Sequence, residues 1–339
     1  MDEGESHSTE PKRTIAVIGG GSWATAIVKI LTENNDYVGW WVRDEAQAMH
    51  IKRYHHNPKY LSSVELATER IDISTDINHI IREADYLVFA IPSAFLKEAL
   101  KLVKEPLGEK VVFSAIKGIV PDEVMIVGEF FHEKYEIPIS NIGVIMGPCH
   151  AEEVALERLS YLTIASETRE HARFIASAMR CDYIHTSTSS DIYGTEYAAV
   201  LKNIYSLASG ICHGLGYGDN FQAVLISNAL REMKRFIKAV HPMKRDIAGT
   251  AYLGDLLVTA YSQFSRNRLF GTMIGKGYTI RSAMLEMNMV AEGYYAARLI
   301  RDVRKKHEVK MPISNAVYKI LYEGKNPRKV MEKLAGKLK

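Results

Sequence analysis

The sequence predicts an α/β fold in which a parallel-sheet domain is followed by an all-α helical domain. Three observations carry that expectation. Short apolar, β-prone runs alternate with helical stretches through the first half of the chain, the pattern of βαβ units. A glycine-rich turn, GGGSWA at residues 19–24, leads directly from one such run into a helix-periodic stretch. Beyond a polar cluster, TSTSS at residues 186–190, the pattern turns long and helical and no clear strand follows.

In chain order, residues 1–13 read as a disordered tail, too polar to bury apolar surface. Residues 14–18, TIAVI, read as a strand buried on both faces. A helix is expected over 25–31 and strands over 37–42 and 86–91, the latter stopped by Pro92. Two more strands, 111–113 and 142–146, each run into a turn carrying glycine. These elements make residues 14–189 a Rossmann-type parallel-sheet domain of the dinucleotide-binding kind. Residues 186–190 read as a linker, and Asp191 as the cap of a helix over 193–213. Asn220 is expected to cap a second helix ending near Val240, within a helical domain spanning 190–339. No internal repeat is visible.

A chain of 339 residues suits two domains, and a net charge of +3 from well-mixed charges gives no basic surface for nucleic acid. Cys149, Cys181 and Cys212 form no CxxC pair, which argues against a disulfide framework and a structural zinc site and fits a reducing compartment. No metal is called for. No apolar run approaches the roughly 20 residues of a membrane span, and the opening tail lacks the apolar region of a signal peptide. A cytoplasmic location is the expectation.

The turn carries the pattern Gly19-x-Gly21-x-x-Ala24. Its first glycine suits a tight turn, its second a close backbone approach to a pyrophosphate, and its alanine close helix–strand packing. The unpaired N–H groups of the helix that follows favour phosphate. Arg43 and Asp44 stand at the end of the second strand, where the adenosine ribose is read. An arginine there suits a 2′-phosphate, a carboxylate the free hydroxyl, and a solvated charge pair is the plain reading. Lys117 follows a strand at the ligand-binding edge of the sheet, although an isolated lysine is ordinarily a surface charge. Lys202 and Asn203 interrupt an apolar helix, so that lysine either snorkels or is buried with a lowered pKa. Arg266, between Ser265 and Asn267, offers a planar donor fork for phosphate. The plain reading there is a helix cap followed by surface arginines.

Eight blocks in order resemble the bacterial-type NAD(P)-dependent glycerol-3-phosphate dehydrogenases. They are GGGSWATA (19–26), FAIPS (89–93), SAIKGI (114–119), GPCHAEEVA (147–155), LKNIYSLASG (201–210), LGDLLVT (253–259), SRNRLFG (265–271) and VAEG (290–293). The resemblance implies interconversion of glycerol 3-phosphate and dihydroxyacetone phosphate by hydride transfer with NAD or NADP, supplying glycerol 3-phosphate for phospholipid synthesis. It also implies residue roles. Ser22, Trp23, Arg43, Ala151, Val290 and Glu292 would contact the cofactor, together with the glycine loop. Lys117 would meet both cofactor and substrate, and Lys202 would be the proton acceptor. Gly147, Cys149, Asn203, Asp255 and Thr259 would lie against the substrate. Ser265, Arg266 and Asn267 would hold its phosphate, Arg266 also nearing the cofactor. A homodimer is the assembly considered.

Some positions depart from the family. Cys149 replaces a usual Ser or Thr, His150 a usual aromatic, His213 a usual Asp, and Asn228-Ala229 a usual basic-glycine pair. A related dehydrogenase acting on a carboxylate would also use an arginine clamp, but not the LGDL and SRNR blocks together. A catalytically silent dinucleotide sensor would be expected to lack Lys117 or Lys202, and both are present.

Overall fold

The computed structural model describes residues 13–287 and 291–339. Its first part holds β1 (Ile15–Ile18), α1 (Ser22–Asn34), β2 (Val38–Trp41), α2 (Glu45–Tyr54), β3 (Ile71–Ser74), α3 (Ile77–Glu83), β4 (Tyr86–Phe89), α4 (Ser93–Leu100) and β5 (Val111–Ser114). There follow a small hairpin, β6 (Ile119–Val120) and β7 (Met125–Ile126), then α5 (Val127–Tyr135), β8 (Ile142–Met146), α6 (Ala151–Ala155), β9 (Ser160–Ser166), α7 (Arg169–Met179) and β10 (Ile184–Ser189).

Eight strands form one sheet in the order β10-β9-β8-β5-β4-β1-β2-β3. Every neighbouring pair is parallel except β8–β9. Its central strands are buried on both faces, which is why they read as continuous apolar runs. Helices α1, α2, α6 and α7 cover one face and α3, α4 and α5 the other. Strand order reverses between β1 and β4, and that switch point opens a crevice at the carboxyl edge of the sheet.

Three strands of the large sheet, and the β6–β7 hairpin, depart from the sequence reading. Residues 184–189, read mostly as linker, are β10, the edge of the sheet. Its hydroxyl-rich run fits a strand paired on one side only. β3 and β9 also went unread. Asp191 does cap the next helix, accepting from the Gly194 N–H at 2.9 Å. Asn220 does not cap, because α9 begins at Asp219 behind Gly218.

The second part is helical: α8 (Ile192–Gly214), α9 (Asp219–Val240), a π-helical turn (Thr250–Gly254), α10 (Asp255–Tyr261), α11 (Arg266–Gly275), α12 (Ile280–Glu286), α13 (Glu292–Lys306), α14 (Pro312–Tyr322) and α15 (Pro327–Ala335). α8 is buried over nearly its whole length and forms the axis around which the others pack. It meets α11 backbone to backbone. A Cβ on Gly271 would lie 2.3 Å from the Leu207 carbonyl oxygen, and one on Gly210 2.1 Å from that of Arg268. This close approach fixes Lys202 and Asn203 on α8 relative to Arg266 and Asn267 on α11. No described helix is long and apolar enough to cross a membrane.

Candidate active site

The glycine loop is held from behind. Trp40 Nε1 donates to the Gly19 carbonyl at 2.7 Å, and Gln47 Nε2 to that of Gly20 at 2.7 Å. Asn57, fully buried, donates to the Gly20 carbonyl at 3.2 Å and to Thr25 Oγ1 at 2.8 Å. Gly19 has φ +136°, and a Cβ there would meet the Ala90 carbonyl oxygen at 2.5 Å, so only glycine fits. Around Gly21 a Cβ would meet nothing within 4 Å. The first turn of α1 carries no side-chain cap and no acidic residue, which leaves its N–H groups and partial positive charge for an anion.

In front of the loop lies a cavity of about 630 Å³, which also reaches Arg43, Lys117, Arg266 and Glu292. The residues fit a dinucleotide: a cradle kept open by Gly21, an uncapped helix terminus, and the buried Trp23 Nε1, which has no partner among the described residues. At the far end of the cavity Asp44 is already engaged. It caps α2 through the Gln47 N–H at 2.8 Å and pairs with Lys59 Nζ at 2.5 Å. Arg43 is exposed there beside Lys59 and Tyr60.

Where the sheet meets the helical part, charged groups cluster. Lys202, 4% exposed, donates to Asp255 Oδ1 at 2.5 Å. Lys117 Nζ stands 4.0 Å from Asp255 Oδ2, donates to the Gly147 carbonyl at 3.2 Å, and lies over the Trp23 ring at 5.5 Å. Burial pulls the Lys202 pKa down to about 7; Lys117 adds to the fall and Asp255 opposes it. Asn203 Nδ2 donates to the Lys117 carbonyl at 2.8 Å and Asn203 Oδ1 accepts from Asn267 Nδ2 at 3.0 Å, tying the lysine loop to α11. Ser206, buried on α8, bonds the Thr259 carbonyl at 2.7 Å and Ser265 Oγ at 2.8 Å. Thr259 Oγ1 in turn donates to the Asp255 carbonyl at 2.7 Å.

The structure therefore gathers Lys117, Lys202, Asn203, Asp255, Thr259, Ser265 and Asn267 into one network, behind the cavity wall that Lys117 and Arg266 share. Gly147 enters through its carbonyl, at φ +139°. Cys149 turns its thiol to the Tyr161 carbonyl at 3.3 Å, and burial pushes its pKa up to about 12, which disfavours a thiolate. Ala151 is buried at the first position of α6. Val290 lies outside the described residues.

Glu292 begins α13 and reaches across to α4, accepting from the Ser93 N–H at 3.0 Å and Ser93 Oγ at 2.6 Å. In the sequence Ser93 stands out only as part of the FAIPS block, and Gln47, Asn57 and Lys59 belong to no motif. Asn57-Pro58, a turn dipeptide directly after a helix pattern, was the available signal for that segment.

Fold and site define the class: a dehydrogenase whose α/β domain is built for a dinucleotide and whose reactive side chains come mainly from a helical domain. The family profile for the NAD-dependent glycerol-3-phosphate dehydrogenase N-terminus matches residues 14–172, and that for the C-terminus residues 191–332. Over 331 residues the chain is 34% identical to glycerol-3-phosphate dehydrogenase (NAD(P)+) of Bacillus pumilus, covering 96% of this chain and 95% of that one. The enzyme of the same name from Alcanivorax borkumensis is 35% identical over 317 residues, covering 93% and 92%. A crystal structure of glycerol-3-phosphate dehydrogenase from Coxiella burnetii superposes with a TM-score of 0.87 at 25% identity, covering 95% of this chain and 98% of that one. The chain belongs to the NAD-dependent glycerol-3-phosphate dehydrogenase family.

Proposed function

We infer that the protein interconverts sn-glycerol 3-phosphate and dihydroxyacetone phosphate with NAD(P). The observation that carries this reading is the buried Lys202–Asp255 pair beside Lys117, which itself lines the cavity in front of the glycine loop. Gly19, Gly21, Ser22, Trp23, Arg43, Ala151, Val290 and Glu292 would hold the cofactor. When bound, its nicotinamide takes hydride from C2 of the alcohol or returns hydride to the ketone.

The chain's own residues manage the proton and the charge. In oxidation, neutral Lys202 takes the proton of the C2 hydroxyl; in reduction its ammonium gives that proton back to the oxygen. A pKa near 7 makes both forms available near neutral pH. Lys117 steadies the negative charge that gathers on the C2 oxygen. Asp255 keeps Lys202 aimed, and Asn203 holds the loop bearing Lys117. Arg266, with Ser265 and Asn267 at the start of α11, holds the phosphate. That remote grip orients C2 and lends binding energy to the reaction. Gly147 and Cys149 close the substrate side.

A cytoplasmic homodimer that works toward reduction and supplies glycerol 3-phosphate for phospholipid synthesis completes the proposal. Oxidation of reduced cofactor by the purified protein, dependent on dihydroxyacetone phosphate, tests it. Unphosphorylated dihydroxyacetone is the control.

A further inference from the structure

His150 occupies the loop between β8 and α6, at the sheet edge that also carries the glycine turn and Lys117. It holds the N-cap position of α6, yet its side chain makes no capping bond. The ring lies beside Phe264, centroids 6.2 Å apart, and Phe264 immediately precedes the Ser265–Arg266–Asn267 segment. Its Nε2 is buried and has no hydrogen-bond partner among the described residues. Buried polar nitrogens are normally paired, and an open one calls for an explanation such as a ligand or water that completes it.

We propose that His150 Nε2 hydrogen-bonds the hydroxyl of the substrate that does not react, and so selects for a ketone or alcohol flanked by a terminal hydroxymethyl group. This rests on the function proposed above. With the lysines on the C2 oxygen and Arg266 on the phosphate, the terminal hydroxyl is the remaining polar group of the substrate. A hydroxyl both donates and accepts, so it matches Nε2 in either tautomer of a neutral imidazole.

Burial, helped by the two lysines, keeps the ring neutral. Burial, then Lys202 and Lys117, push its pKa down to about 4, while Asp255 and the Val258 carbonyl act in the other direction. A cationic histidine would compete with the lysines for the C2 oxygen. A neutral one does not, and it discriminates through a hydrogen bond alone.

The test compares dihydroxyacetone phosphate with hydroxyacetone phosphate, which keeps the ketone and the phosphate but lacks the terminal hydroxyl. The wild-type protein should prefer the former in kcat/KM by at least about tenfold. His150→Leu should bring the two within about threefold of each other, chiefly by losing activity on dihydroxyacetone phosphate. His150→Gln, which keeps a polar terminus, should retain part of the preference. Binding of reduced cofactor, titrated by fluorescence, should be the same in all three proteins. An equal loss on both ketones would make the ring structural and overturn the proposal, as would an unchanged ratio in His150→Leu. If the wild-type protein reduces neither ketone, the dehydrogenase assignment itself has failed, a distinct outcome.

Discussion

Lys202 and Asp255, 53 residues apart in sequence, meet at 2.5 Å with both side chains almost wholly buried. One comes from the middle of α8 and the other from the first position of α10, directly after the π-helical turn. Burial and Lys117 lower the lysine's pKa, and the carboxylate raises it. Burial, partly offset by the ion pair, thus sets where this lysine exchanges its proton.

The pH dependence follows from that balance. Lys202 is neutral above about pH 7 and charged below it. Oxidation of glycerol 3-phosphate, which needs the free base, should rise through that region, and reduction of dihydroxyacetone phosphate should fall. Asp255→Asn removes the group that favours the ammonium, so both limbs should move to lower pH. Profiles of kcat in the two directions check this; an unmoved or upward-shifted limb would separate Asp255 from the titrating group.

Arg266→Ala should chiefly harm use of the phosphorylated substrate. A charge-assisted fork to phosphate is worth about 1.5–3 kcal/mol, or roughly ten- to a hundredfold. The comparison is kcat/KM for dihydroxyacetone phosphate against unphosphorylated dihydroxyacetone. Equal fractional losses would remove the phosphate role from Arg266.

At the adenosine end, Asp44 is held by the start of α2 and by Lys59, while Arg43 lies exposed beside them. That arrangement favours a 2′-phosphate over repelling it, so NADPH should serve at least as well as NADH. Arg43→Ala should raise KM for NADPH by about tenfold or more with little change for NADH. A constant ratio of the two would leave Arg43 as a solvated charge.

Much of this was legible in the chain. The central strands show themselves because burial on both faces demands unbroken apolar runs. Lys202 stands out because a lysine in the midst of TEYAAVL and IYSLASG has to be accounted for. What escaped was set by distant neighbours. β10 reads as linker because an edge strand tolerates serine and threonine, and β3, at the opposite edge, breaks its apolar run with Asp72 and Ser74. The glycine spacing marks a turn but not the Trp40, Gln47 and Asn57 side chains that pull its carbonyls back. Glu292 meets Ser93 across 199 residues, and no local pattern encodes that contact.

Lys202→Met tests the central claim most directly. The wild-type and variant proteins are compared for oxidation of reduced cofactor by dihydroxyacetone phosphate, with cofactor binding titrated in parallel. Loss of a positioned proton donor should lower kcat by about 10²–10⁴-fold and leave cofactor affinity nearly intact. A wild-type protein inert toward dihydroxyacetone phosphate, or a variant keeping more than about a tenth of wild-type kcat, would contradict it.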